Sequence, residues 1–439
     1  MVTVDCGIRF PKEIAYARSQ GIDVIVTDHH IVGDEELDAA VAVVNPKQSD
    51  CPYPDKGLAG VGLAYKLAQA LLEANRQEPA CQETGLQDEE LLDLVALGTV
   101  ADMAPLTGEN RLLVARGLER LNTEPRPGIE ALMRQVGLRP GQIDTSAIGY
   151  ALGPRLNAAG RVGHAKTAYQ LLIAEYPAEA ERLAQELDDL NRERQRLTLE
   201  IQEKAKSLAQ QQGTEQPLLF LADRELEAGV IGLVASRLAE EFYRPVVMVE
   251  MGEQESRGSA RSIPEFDVTQ ALDACADLLI QHGGHAAAAG FTSRTADLPE
   301  LRERLTSLAA DELDEKELVP TIQADAEVPL REMGWAVLEA LQTLRPFGEG
   351  NPEPLFVSRD VQVRDYRPVG NGGAHLKLFL SDGQEVWDGI AFRQGDWAEH
   401  LPDRVDIAFY LQINEWRGEQ RLQLNIQDIR PAGMEEVGA

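Results

Sequence analysis

Asp23-Val24-Ile25-Val26-Thr27-Asp28-His29-His30 is an apolar, β-branched run that stops on three consecutive polar residues. Val24 to Thr27 has the texture of a strand buried on both faces, as parallel sheets require. Such a strand seldom ends in Asp-His-His without cause. Upstream, Val2-Thr3-Val4 repeats the pattern and ends at Asp5-Cys6-Gly7, so the chain opens directly into what reads as a buried strand. Between the two, Lys12 to Gln20 reads as a helix carrying Ile14, Ala15 and Ala17. Ala40 to Asn45 (AVAVVN) is a third strand. This order indicates an α/β parallel sheet. In such sheets ligands bind beyond the carboxyl ends of the strands. The crossover helix therefore brings Asp5 and Asp28-His29-His30 to the same sheet edge.

Helices are expected at Gly62 to Asn75, Glu89 to Val100 and Asn110 to Leu121, and this first region, 1–177, closes at Pro177. A long helix follows over 178–212, with Leu183, Leu187, Leu190, Leu197, Ile201 and Leu208 on one narrow stripe. It reads as a connecting helix packed on its neighbours, with a free-standing coiled coil as the alternative. A second α/β unit occupies 213–310: strand Leu218 to Ala222, helix Gly229 to Phe242, strand Arg244 to Val249. The acidic run Asp311 to Glu317 reads as a solvated linker. Over 322–432 short strands (Val361–Val363, His375–Leu380, Val386–Phe392, Asp406–Ile413, Arg421–Gln427) alternate with turn residues, the mark of a small β-barrel.

The 439 residues carry 42 basic and 73 acidic side chains, a net charge of −31. That excludes a protein coating nucleic acid or anionic lipid with its whole surface, though not a local basic groove. No stretch approaches the length of a membrane span, and no basic-then-apolar leader opens the chain. Cys6, Cys51, Cys81 and Cys275 form no CxxC pair, so a zinc site or disulfide framework is not expected, and a reducing cytoplasm fits.

Carboxylates with imidazole form a hard, mixed O/N set suited to Mn²⁺ or Mg²⁺. Asp5, Asp28, His29 and His30 are joined as candidates by Asp102, which follows an apolar helix in Leu97-Gly98-Thr99-Val100-Ala101-Asp102. Such a centre activates water against a phosphodiester. A lone aspartate after a strand or helix is usually only a turn or cap.

Val24 to His30 resembles the motif that names the DHH phosphoesterase superfamily. Thr3-Val4-Asp5-Cys6-Gly7-Ile8 and Leu97 to Asp102 look like its neighbouring aspartate motifs. Ala151-Leu152-Gly153-Pro154-Arg155-Leu156-Asn157-Ala158-Ala159-Gly160-Arg161 is similar to a segment of the RecJ-type single-strand exonucleases. So are Gly258-Ser259-Ala260-Arg261-Ser262, Gly283-Gly284-His285 with Ala288-Ala289-Gly290, and Pro346-Phe347-Gly348-Glu349-Gly350-Asn351-Pro352-Glu353-Pro354. The resemblance implies a DHH domain, a DHHA1-type domain and a C-terminal OB barrel. It also implies 5′-to-3′ hydrolysis of single-stranded DNA in repair and recombination. Asp5, His29 and Asp102 would be ligands of manganese or magnesium, with Asp28 and His30 in support. Ser259 and Arg261 would hold DNA phosphates. Arg155, Asn157 and Arg161 are further candidates, though such arginines are often surface ion-pair residues. Gly283-Gly284-His285, read as the entry to an Ala-rich helix, would offer backbone N–H groups to a phosphate. The alternative is a glycine entry that merely packs tightly. On the barrel, Trp387, Trp416, Arg417 and Arg421 are available for stacking or phosphate contact, although most such aromatics are core. Helicases and single-strand binding protein are implied partners, and a monomer is expected.

The family's first motif, an Asp-x-Asp, belongs N-terminal to Asp5, where only four residues stand. The DHH domain is therefore expected to be N-terminally truncated, with an exposed sheet edge. The chain would be a fragment or a gene read from an internal Met, with weak or absent nuclease activity if it truly starts here. Two other readings stand beside the exonuclease. One is a DHH phosphoesterase for nano-RNA or cyclic dinucleotides; the other is a catalytically impaired DNA-binding relative.

Overall fold

The computed structural model describes residues 1–33, 36–77, 85–314, 316–416 and 419–434. Cys81 and Arg417 lie outside the described residues, as does the side chain of Trp416. The chain divides into two compact units: Met1–Thr123 with Ile143–Ile148 and Ile322–Ala439, and Glu124–Gln142 with Gly149–Thr321.

In the first unit, β1 (Val2–Val4), β2 (Ile25–Thr27) and β3 (Ala42–Val44) form a parallel sheet in that order. Helix α1 (Pro11–Ser19) is the crossover, and its Ile14 and Ala17 bury Val24 and Val26. The apolar texture of β1 read as that of a buried strand, but it lies at a sheet edge, as expected: Val2 and Val4 are half exposed, because β1 pairs on one side only, with β2, among the described residues. Next come α2 (Gly60–Gln77), a 3₁₀ turn (Asp88–Leu91), α3 (Leu92–Ala101) and α4 (Gly108–Thr123). Apolar on nearly every side, α3 is buried between α2 and α4, as such a helix must be. Its C-cap is Asp102.

The second unit contains α5 (Pro127–Gln135) and, beyond a one-turn α6 (Thr145–Ala147) and a π-turn, α7 (Gly153–Val162) and α8 (Lys166–Leu172). Helices α5, α7 and α8 pack on α9 (Pro177–Gln212), about 54 Å long at 1.5 Å per residue. Leu183, Leu187 and Ile201 are buried as the stripe predicted, so α9 is a packed helix and not a free coiled coil. Its buried face is wider than the stripe and includes Asp188, Asn191 and Thr198.

A five-stranded sheet follows, ordered β4-β5-β6-β8-β7: β4 (Leu219–Asp223), β5 (Val246–Glu250), β6 (Glu255–Arg261), β7 (Leu279–His285) and β8 (Ala288–Arg294). Helix α10 (Ala228–Phe242) covers one face; α11 (Val268–Asp273) and α12 (Leu298–Leu313) cover the other. Two expectations are corrected here. The segment after Gly283-Gly284-His285 is no helix: it pairs back as β8, with Gly283 opposite Gly290 and His285 opposite Ala288. Alanine's helix preference yields because small residues let the strands close up; a Cβ on Gly284 would lie 2.5 Å from the Ala289 Cα. The acidic run is not wholly linker either, since Asp311 to Leu313 ends α12 and Leu313 is buried.

The first unit resumes with β9 (Ala326–Glu327), α13 (Trp335–Gln342) and five strands: β10 (Phe356–Val369), β11 (His375–Ser381), β12 (Val386–Ala391), β13 (Arg404–Trp416) and β14 (Glu419–Pro431). Bulges bend β10 so that it pairs with both β11 and β13, closing the barrel β10-β11-β12-β14-β13. Trp387 is core, so it is no stacking platform.

Candidate active site

The carboxyl ends of β1 and β2 bring three motifs together. Asp5 follows β1 with φ of +62°, a left-handed conformation unusual for any residue but glycine. Its N–H stays in the ladder, donating to the Thr27 carbonyl at 3.0 Å. Turned this way, the Asp5 carboxylate reaches His29, whose Nε2 is 3.0 Å from Asp5 Oδ1 and 3.6 Å from Asp102 Oδ2. His29 Nε2 is shielded from solvent, yet it makes no well-directed hydrogen bond to either carboxylate.

Asp28 does a different job. It is 1 % exposed, accepts the Ile8 N–H (2.9 Å) on one oxygen, and takes the His30 N–H (3.1 Å) and Nδ1 (2.7 Å) on the other. Burial raises its pKa, but the Ile8 and His30 N–H donors and the His30 ring together hold it below the usual value. With Nδ1 turned to Asp28, the Nε2 lone pair of His30 is left for another partner. His29 is pushed up by the Asp5 carboxylate, against burial and with help from Asp102. Asp102 is itself raised, by burial and by the Asp5 charge.

The fit to a divalent cation follows from these atoms. A shielded imidazole nitrogen beside two carboxylates is a donor set that a divalent cation can bridge once the proton between them is gone. Asp5, His29 and His30 each offer a ligand atom, all within 4.8 Å of one another. Oxygen and imidazole donors suit Mn²⁺ or Mg²⁺. The geometry thus groups His30 with Asp5 and His29, while Asp102 approaches the same cluster through His29.

Several supporting residues escaped the sequence reading. Asn45, just past β3, donates from Nδ2 to the His30 carbonyl at 3.0 Å; the strand-end rule that found Asp5 would have found it. Gly60 opens α2 where a Cβ would stand 2.8 Å from the Asp5 Cγ, and no local pattern signals it. The Pro346–Pro354 motif lies against the segment after Asp102: Leu106 donates to the Glu349 carbonyl at 2.6 Å.

In the second unit, strand register gathers the other motifs. Ser259 and Gly283 flank Gly290; Arg261 and His285 flank Ala288. Alternation puts these four on one sheet face, the α10 face, because Arg261 Nε reaches Ser236 Oγ of α10 at 3.0 Å. Arg261 also donates to Ser259 Oγ (3.0 Å) and the Ala260 carbonyl (2.8 Å), and burial lowers its pKa. On α7, Asn157 is exposed and Arg161 donates to the Gly229 carbonyl at 3.3 Å. Arg155, by contrast, is held in an ion pair with buried Asp188 at 2.8 Å.

Three family models match the chain in order: the DHH family N-terminal domain over residues 1–99, the DHHA1 domain over 215–311 and the RecJ OB domain over 324–428. Fold and site thus define a DHH/DHHA1 protein with an appended OB barrel. The single-stranded-DNA-specific exonuclease RecJ of Salmonella typhimurium is 39% identical over 448 residues, spanning 98% of this chain and 77% of the relative. That of Bacillus subtilis is 38% identical over 432 residues, spanning 98% and 53%. The crystal structure of RecJ in complex with Mn²⁺ from Thermus thermophilus aligns at a TM-score of 0.84 and 34% identity, covering 100% of this chain and 62% of that one. The chain belongs to the RecJ family.

Proposed function

We propose that this chain hydrolyses single-stranded DNA from the 5′ end, using Asp5, His29 and Asp102, with His30 alongside, to hold Mn²⁺ or Mg²⁺. The observation that carries it is the convergence of His29 Nε2, 3.0 Å from Asp5 Oδ1 and 3.6 Å from Asp102 Oδ2, with His30 in the same cluster of ligand atoms. A bound cation at such a site lowers the pKa of water and offsets charge on the phosphodiester. Asp28 acts as a positioning residue, fixing the His30 tautomer. Ser259 and Arg261 hold a phosphate of the strand, the guanidinium as a fork and the hydroxyl as a single donor. Asn157, Arg161, Gly283, Gly284 and His285 border it. The division into a DHH domain (1–177), connecting helix (178–212), DHHA1 domain (213–310) and OB domain (322–432) goes with this reading. So do a cytoplasmic monomer and partners of the helicase and single-strand-binding class. No helix among the described residues is long and apolar enough to cross a membrane.

The test is degradation of a 5′-phosphorylated single strand, a duplex and a dinucleotide by the 439-residue chain in Mn²⁺, with a chelator control. Mononucleotides released from the single strand's 5′ end are the expected result. Faster turnover of the dinucleotide would transfer the reading to a small-substrate phosphoesterase. Strand binding that persists in chelator and after His29→Ala, with no turnover in any metal, would make the chain a non-catalytic DNA binder.

A further inference from the structure

Acidic residues outnumber basic ones 73 to 42, so carboxylate partners are plentiful for a helix that carries cations. Helix α9 carries six cations. Arg182 pairs with Glu186, Arg192 with Asp188, and Arg196 with Glu193 and Glu200. Lys204 pairs with Asp223 and Glu225, and Lys206 with Glu241. The sixth, Arg194, has no carboxylate partner among the described residues. It donates from Nη2 to Asn191 Oδ1 at 2.9 Å, and its Nε is shielded from solvent without a hydrogen-bond partner.

Its surroundings are cationic. Arg161, Arg237 and Arg155 lie close enough that, after burial, their charges lower its pKa further. Of these only Arg155 is neutralised, by Asp188, among the described residues. Exposed Arg237 on α10 donates to Gln202 Oε1 of α9 at 2.8 Å, a neutral partner. Arg161 has a carbonyl partner, and its charge also bears on Arg261, whose side-chain partners are hydroxyls. Guanidiniums from α9, α10, α7 and the sheet thus converge without a counter-charge among the described residues. Like charges held together repel, so such a set is organised for an anion. One small anion beside Ser259 and Arg261 leaves the helix-borne pair uncompensated, whereas a polymer with a charge at every nucleotide supplies the next one.

We propose that Arg194 and Arg237 hold a backbone phosphate of the bound single strand, adjacent to the one taken by Ser259 and Arg261, which makes the connecting helix part of the DNA grip. This rests on the substrate reading above. The test is binding of a 5′-phosphorylated oligothymidylate to the full chain in chelator, by fluorescence anisotropy over a salt series. Arg194→Gln and Arg237→Gln should each make log K against log salt shallower by roughly 0.7. The double variant should lose less than the sum if both arginines share one phosphate. Arg196→Gln, on the same helix but already paired, should leave the slope unchanged. Arg194→Lys should restore most of the slope. A merely structural role predicts a lower melting temperature with an unchanged slope, and that result overturns the proposal. So does a slope change equal to that of Arg196→Gln, or loss of stabilisation by inorganic phosphate with strand binding intact. Failure of the unsubstituted chain to bind the strand would sink the substrate reading itself; binding with insensitive variants would sink only this inference.

Discussion

The two polar clusters are built in opposite ways. At the ends of β1 and β2, carboxylates and imidazoles come from residues 5 to 30, joined by Asp102, and one member, Asp28, is fully hydrogen-bonded while His29 Nε2 faces only the Asp5 and Asp102 carboxylates. In the second unit, arginines converge from positions 161, 194, 237 and 261 and are met only by hydroxyls, amides and carbonyls among the described residues. Buried charge needs hydrogen bonds or a partner. The first cluster meets this with backbone donors and reserves a nitrogen for a cation; the second leaves its charge for an anion. Contiguous sequence suits the first because successive strand ends lie side by side in a parallel sheet.

The comparison breaks most plainly at His29. His29→Ala should lower Mn²⁺-dependent turnover by more than the roughly 10–100-fold typical of an outer-shell change; calorimetric titration should lose the tight Mn²⁺ isotherm. A smaller effect would mean that His29 Nε2 does not face the metal.

Next in size is Asp188→Ala. Asp188 is 2 % exposed and pairs with Arg155 at 2.8 Å and Arg192 at 2.7 Å. Removing it adds another uncompensated arginine to the second cluster and should cost about 3 kcal/mol in urea unfolding. An unchanged midpoint would show that unpaired arginines are tolerated there.

Asp28→Asn keeps the shape but gives up a charged acceptor for Ile8 and His30. It should weaken Mn²⁺ by roughly 10–100-fold. Equal affinity would reduce Asp28 to a loop tie.

The smallest effect concerns pH. His29's pKa is raised in the fold from its ordinary 6.5 by Asp5. The stabilisation is therefore complete below about 6.5 and lost as pH rises through the raised value. Metal-free protein should melt slightly lower across that window, and Asp5→Asn should flatten the profile. With Mn²⁺ the trend should reverse, because the cation competes with the proton.

Much of the first cluster was legible in the sequence. Apolar strands ending in polar residues give sheet, edge and candidates together, and Asp102 was legible as the aspartate closing an apolar helix, its role as a ligand being implied by the motif resemblance. Gly60 was not, since a glycine at a helix start carries no mark of the side chain it makes room for. The hairpin at Gly283–Gly290 was misread because Ala and Gly runs leave the period ambiguous; the neighbouring strand β6 decides it. Arg194 falls in the gap of the α9 stripe between Leu190 and Leu197, a break in the apolar pattern that the sequence reading passed over. Only the fold places residues 161 and 237 beside it.

Asp28 has one further consequence. One of its oxygens holds the loop after β1 through the Ile8 N–H, and the other holds the loop after β2 through His30. The two loops therefore share a single thermodynamic fastener. Substitutions at residues 6–9 and at 30–31 should be non-additive although the tie between them runs through a third residue, and a double-mutant cycle across Asp28 would put a number on the interaction, on the order of 0.5–3 kcal/mol.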